Sequence, residues 1–103
     1  MRAPSFIHVE VANVIWRKRR RGELTDARAL LTLPDQLASL IQSIDELAFL
    51  PRALELAFML DHAIYDCVYL ALAEAMGDLF ITADDAFRRK VEQTSLAPLV
   101  IAL

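Results

Sequence analysis

The sequence predicts an α/β fold in which a short parallel sheet is flanked by helices. Hydrophobic residues make up 56% of the 103 positions and mean hydropathy is +0.37, a richness that implies a sheet buried on both faces. The stretch His62 to Phe87 reads as a buried helix, a glycine stop, a short apolar strand and an acid where that strand ends, the order in which a parallel sheet is assembled. At this length the chain is expected to form a single domain over residues 1–103, with one core.

Taken in order, Pro4-Ser5 followed by Phe6, Ile7, Val11, Val14 and Ile15 predicts an amphipathic helix with Ser5 as N-cap. Glu10 lies on its first half beside the apolar stripe, where a surface glutamate is the ordinary reading. Arg17, Lys18, Arg19, Arg20 and Arg21 close the helix before Gly22. Basic residues in a last turn complement the helix dipole. Five in a row exceed that need and predict either a phosphate-contacting edge for RNA or a docking strip for an acidic partner.

Thr25-Asp26 caps a short helix over 27–33, ended by Pro34. Residues 39–44 are expected to form a strand, although Leu37, Leu40, Ile41, Ile44 and Leu47 have helical spacing. Pro51 opens a helix of about three turns that breaks at Asp61-His62. Phe58, Met59, Met76 and Phe80 read as core filling.

From Ile64 to Met76 apolar residues recur on nearly every side, so this helix is expected to be buried on most of its circumference. Gly77 is the expected left-handed stop. Leu79-Phe80-Ile81 is the strand, which leaves Thr82-Ala83-Asp84 at its C-terminal end, the edge where open parallel sheets bind ligands. A helix over 85–93, with Asp85 as cap, and a terminal strand over Pro98 to Ala102 complete the chain. Asp66, in the first turn of the apolar helix, is costly to bury unless something positive or donating meets it.

Composition excludes several classes. Two glycines leave no phosphate-cradling loop of the Walker or dinucleotide kind. His8 and His62 are isolated, without zinc-site spacing or a serine partner, so structural or surface roles are expected of both. The one cysteine, Cys67, reads as a packed, reduced thiol. No apolar run reaches the length of a membrane span, which makes a soluble cytoplasmic protein the default. The net charge of -3 hides an asymmetry: residues 1–21 hold six basic residues and one acid, whereas 22–103 hold five and thirteen.

Tyr65-Asp66-Cys67-Val68-Tyr69-Leu70-Ala71-Leu72-Ala73-Glu74, followed by Leu79-Phe80-Ile81-Thr82-Ala83-Asp84-Asp85-Ala86-Phe87, resembles the paired signature of PIN-domain ribonucleases of the VapC toxin type. Glu10-Val11-Ala12-Asn13-Val14-Ile15-Trp16-Arg17-Lys18, continuing to Thr25, resembles the same family's earlier acidic helix. The resemblance implies a PIN-like three-layer α/β/α fold, incomplete at the N-terminus because the family's first strand and its metal aspartate would precede the segment at which this chain starts. It further implies a metal-dependent endoribonuclease acting as the toxin half of a VapBC-type pair, with an RNA substrate, a VapB-type antitoxin and a homodimeric partner.

In that reading Asp66, Asp84 and Glu10 form the catalytic and metal site for Mg²⁺ or Mn²⁺, Thr82 supports the strand end, and Arg17 to Arg21 contact RNA. Clustered carboxylates repel, and a hard divalent cation with retained waters relieves the repulsion. Such a cation polarises a phosphodiester and stabilises charge on the departing oxygen. The alternative reading is a catalytically impaired PIN fragment that serves only to bind an antitoxin or a homologue.

Overall fold

The computed structural model describes residues 1–103, the side chain of Ala27 excepted. It is a mixed α/β structure with short parallel strands, and it divides into two compact units, Met1–Asp45 and Glu46–Leu103.

In the first unit, β1 (Arg2–Pro4) pairs parallel with β2 (Gln42–Ile44), Ala3 facing Ser43 in register. A parallel pair needs a crossover. Here α1 (Ile7–Arg20) and α2 (Ala27–Ala38) supply it. The N-cap position of α1 falls on Phe6, which makes no side-chain cap, and not on Ser5 as expected; the Ser5 N–H donates to the Ile44 carbonyl, 3.0 Å away, so that residue prolongs the strand pairing. The α2 helix does start as predicted, with Asp26 Oδ1 accepting from the N–H groups of Arg28 and Ala29. It does not stop at Pro34. Half-buried Leu30, Leu33 and Leu37 continue one apolar stripe through the proline to Ala38, so packing outweighs the one missing backbone bond. Of residues 39–44, where a strand was expected, Gln42–Ile44 are extended.

In the second unit, a single 3₁₀ turn (Glu46–Phe49) leads into α3 (Leu50–Leu60), with Pro51 in its first turn, where the lost N–H is no cost. The helix ends on Asp61 in a left-handed conformation, φ 49°, which Asp tolerates better than most residues. α4 (Ile64–Met76) follows and stops at Gly77, φ 67°, as its sequence predicts. β3 (Phe80–Thr82) pairs parallel with β4 (Val100–Ala102), connected through α5 (Asp85–Glu92) and a 3₁₀ turn at Ala97–Leu99.

The core of this unit is α4, which buries Cys67, Val68, Leu70, Ala71, Leu72 and Ala73 and packs on α3, where Ala53, Leu56 and Leu60 are buried too; Phe87 and Val91 of α5 are also buried. Fully burying the Val, Leu and Phe side chains among them is worth about 1.5–3 kcal/mol each. Not every expected core residue joins it: Phe58 is 76% exposed, and Met59 and Met76 also face outward. On α3 the stripe of Ala53, Leu56 and Leu60 takes the interior, and a helix that is apolar on two sides can bury only one of them here. No single helix is long and apolar enough to cross a membrane.

Candidate metal centre

The candidate centre is drawn from the second unit alone. Asp84 stands where β3 ends and α5 begins, and two local bonds, one to its side chain and one from its backbone, hold it there. Its Oδ1 accepts the Phe87 N–H at 3.0 Å, capping α5, while its own N–H donates to Thr82 Oγ1 at 3.0 Å. Among the described residues Thr82 is the one buried polar side chain. The cap expected of Asp85 is thus made by Asp84; Asp85 lies within the first turn and pairs with Arg88 and Arg89, each at 2.7 Å.

Asp66 enters from the first turn of α4, whose N-terminal dipole favours an anion. Its Oδ2 lies 2.7 Å from His62 Nε2, and the same nitrogen is 3.8 Å from Asp84 Oδ2. One donor atom from each of His62, Asp66 and Asp84 lies within 4.8 Å of the others. The rings of His62, Phe87 and Phe80 pack in tilted contacts, with centroids 4.7 and 5.8 Å apart, and Tyr69 stacks on Phe80 at 5.1 Å. Behind Asp66, burial pushes the Cys67 thiol up to about 11, with the neighbouring Asp66 charge adding to it. Cys67 is therefore a packed thiol, not a nucleophile.

The donor set fits a divalent ion. Six ligands at ~2.1 Å from such an ion are separated by roughly 3 to 4 Å, a spacing that atoms within 4.8 Å of one another reach with small shifts. Asp66 Oδ1 accepts no hydrogen bond among the described residues, and Asp84 Oδ2 has no donor at hydrogen-bond distance. Each carboxylate therefore offers an oxygen.

Of the residues singled out from sequence, Asp66 and Asp84 come together and Thr82 adjoins them. Glu10 is an exposed side chain in the first turn of α1, in the other unit. Arg17, Lys18, Arg19, Arg20 and Arg21 are exposed in the last turns of α1, where Lys18 pairs with Glu23 at 3.3 Å and Arg20 lies 5.4 Å from the centre of the Trp16 ring. His62, read as an isolated histidine, stands between the two aspartates. Its four-residue spacing from Asp66 was the available signal, and the break at Asp61 hid it, because the two residues do not share one helix.

The PIN domain family profile matches residues 2–93. The chain belongs to the PIN-domain family. Membership points to nuclease chemistry, RNA binding and divalent-metal use in general terms, and His62, Asp66 and Asp84 of this PIN domain form a group that could hold a metal ion. A comparison with curated proteins finds no match.

Proposed function

We propose that this PIN domain is a Mg²⁺-dependent endoribonuclease of the VapC type, the cytoplasmic toxin of a toxin–antitoxin pair, acting as one domain over residues 1–103. The observation that carries the reading is the meeting of Asp66 and Asp84, from a helix start and a strand end, within 4.8 Å in a chain whose residues 2–93 match the PIN family. Asp66 and Asp84 would hold the ion. The chemistry supplied by a bound divalent ion is polarisation of the phosphodiester and stabilisation of charge on the departing oxygen.

The protein's own residues bind and orient. Thr82 and the Phe87 N–H fix Asp84, and His62 fixes Asp66. Among the described residues no carboxylate pairs with Arg17, Arg19, Arg20 or Arg21, which supports a role for that segment in neutralising RNA phosphates. Purified protein is expected to cleave structured RNA in the presence of Mg²⁺ and to lose that activity on Asp66→Asn. Full cleavage by the variant would overturn the proposal.

A second reading, a PIN module that only binds an antitoxin or a second copy of itself, is favoured by the exposed apolar side chains of Leu54, Phe58 and Met59 on α3. It expects complex formation with no measurable affinity for Mg²⁺ or Mn²⁺, so a calorimetric metal titration separates the two.

A further inference from the structure

We propose that His62 is a positioning residue and not a third metal ligand: locked by Lys90, it donates a hydrogen bond to Asp66 and so aims the carboxylate's other oxygen at the ion. The inference rests on the metal-site reading of Asp66 and Asp84. By distance alone His62 qualifies as a ligand, since its Nε2 belongs to the group of donor atoms within 4.8 Å. The other ring nitrogen decides the matter.

Lys90 Nζ lies 3.3 Å from His62 Nδ1. An ammonium group has three donors and no acceptor. Nδ1 must therefore accept, which places the ring proton on Nε2, and Nε2–H points at Asp66 Oδ2 across 2.7 Å. A ring held this way has no lone pair on Nε2 to offer a cation.

Lys90 is anchored in turn. Its Nζ donates to the Asp61 carbonyl at 2.6 Å, and that carbonyl belongs to the left-handed residue that ends α3. The imidazole is packed against Phe87, and the His62 side chain is only 13% exposed. Two hydrogen bonds and a ring contact thus fix its orientation.

The result is a symmetrical division of labour between the two aspartates. A protein donor occupies one oxygen of each, His62 on Asp66 Oδ2 and the Phe87 N–H on Asp84 Oδ1. Asp66 Oδ1 and Asp84 Oδ2 remain for the ion. Fixing a ligand through its second atom is how outer partners tune metal affinity, and losing one costs roughly ten- to a hundredfold.

The test uses Mn²⁺ as a spectroscopic probe on the full chain, with binding followed by calorimetry and the bound ion by pulsed electron paramagnetic resonance. Wild-type protein should bind Mn²⁺ without the ¹⁴N modulation of a directly bound imidazole. His62→Ala should weaken binding by roughly ten- to a hundredfold, and His62→Gln, whose side-chain amide can still donate to Asp66, should recover most of that loss. Circular dichroism on both variants establishes that they fold. A ¹⁴N signal in the wild type that vanishes in His62→Ala would overturn the proposal, as would a His62→Gln variant no better than the alanine, or binding that His62→Ala leaves unchanged. Absence of Mn²⁺ binding to the wild type would instead remove the metal-site reading itself, and this proposal with it.

Discussion

Met1–Asp45 and Glu46–Leu103 use the same parts, a short parallel strand pair joined through helices, yet only the second builds a dense core. In the first unit α1 buries no side chain outright, and among the described residues burial is confined to Ala3 and Pro4 at the strand. The second unit packs α4 on α3 and β3 and buries thirteen positions from Ala53 to Leu96. The contrast follows from the helices. α1 carries charge along its last turns and has one apolar face, whereas α4 is apolar on most of its circumference and is largely enclosed. A site needing ångström precision is better carried by the enclosed unit, where packing locks the rotamers that hold it.

The contrast is broken most forcefully by truncating one leucine in each unit. Leu56 is fully buried on α3 and Leu31 is 79% exposed on α2. Leu56→Ala should cost about 2–5 kcal/mol and Leu31→Ala should stay within about 0.5 kcal/mol, both read from urea denaturation midpoints. Equal losses would mean that the two units do not differ as described.

A smaller effect sharpens the comparison at two residues with the same backbone role. Asp26 caps α2 and Asp84 caps α5. Replacing either with alanine should cost about 1 kcal/mol. Asparagine should largely restore stability at both, because its side-chain oxygen still accepts the backbone N–H. Mn²⁺ affinity should fall in Asp84→Asn and remain at the wild-type level in Asp26→Asn. An Asp84→Asn variant that binds Mn²⁺ normally would leave Asp84 as a cap and nothing more.

The smallest expected difference lies in the ion pairs. Arg52 grips Glu74 with two bonds, 2.8 and 2.9 Å, across α3 and α4, while Lys18 and Glu23 meet at 3.3 Å on an exposed turn. Hydrogen bonding from Arg52 holds the Glu74 carboxyl below its usual range. A lowered carboxyl pKa contributes stability that is full above the ordinary carboxylate value and is lost as pH falls through the lowered one. With Arg52 40% and Glu74 32% exposed, solvent screening limits the gain, so Glu74→Gln should cost about 1 kcal/mol at neutral pH, a difference that disappears in acid. Glu23→Gln should change stability by no more than a few tenths of a kcal/mol. Melts across roughly pH 3 to 7, a range that spans the ordinary carboxyl pKa values, provide the check.

Much of this was legible in the residues. Gly77 marked the end of α4 because a left-handed stop costs glycine little, and the short run before Asp84 marked a strand end because few other structures suit it. Pro34 misled, since its lost backbone bond is a local cost and the leucine stripe that overrides it is a matter of packing. Phe58 misled for the opposite reason: α3 is apolar on two sides, and its sequence does not say which side finds a neighbour. His62 was hidden by the turn at Asp61, and Lys90 lies 28 residues from it in the chain.

By itself, then, the sequence determined the helix and strand alternation of the second unit, the family, and the two aspartates, because periodicity, turn chemistry and motif spacing are written into neighbouring residues. Only the tertiary structure decided which face of α3 lies inside, that Asp84 rather than Asp85 caps α5, and that Lys90, His62 and Asp66 form one hydrogen-bonded chain. Those depend on contacts between segments distant in sequence, and side-chain hydrogen bonds of this kind are set by the fold that brings donor and acceptor within about 3 Å.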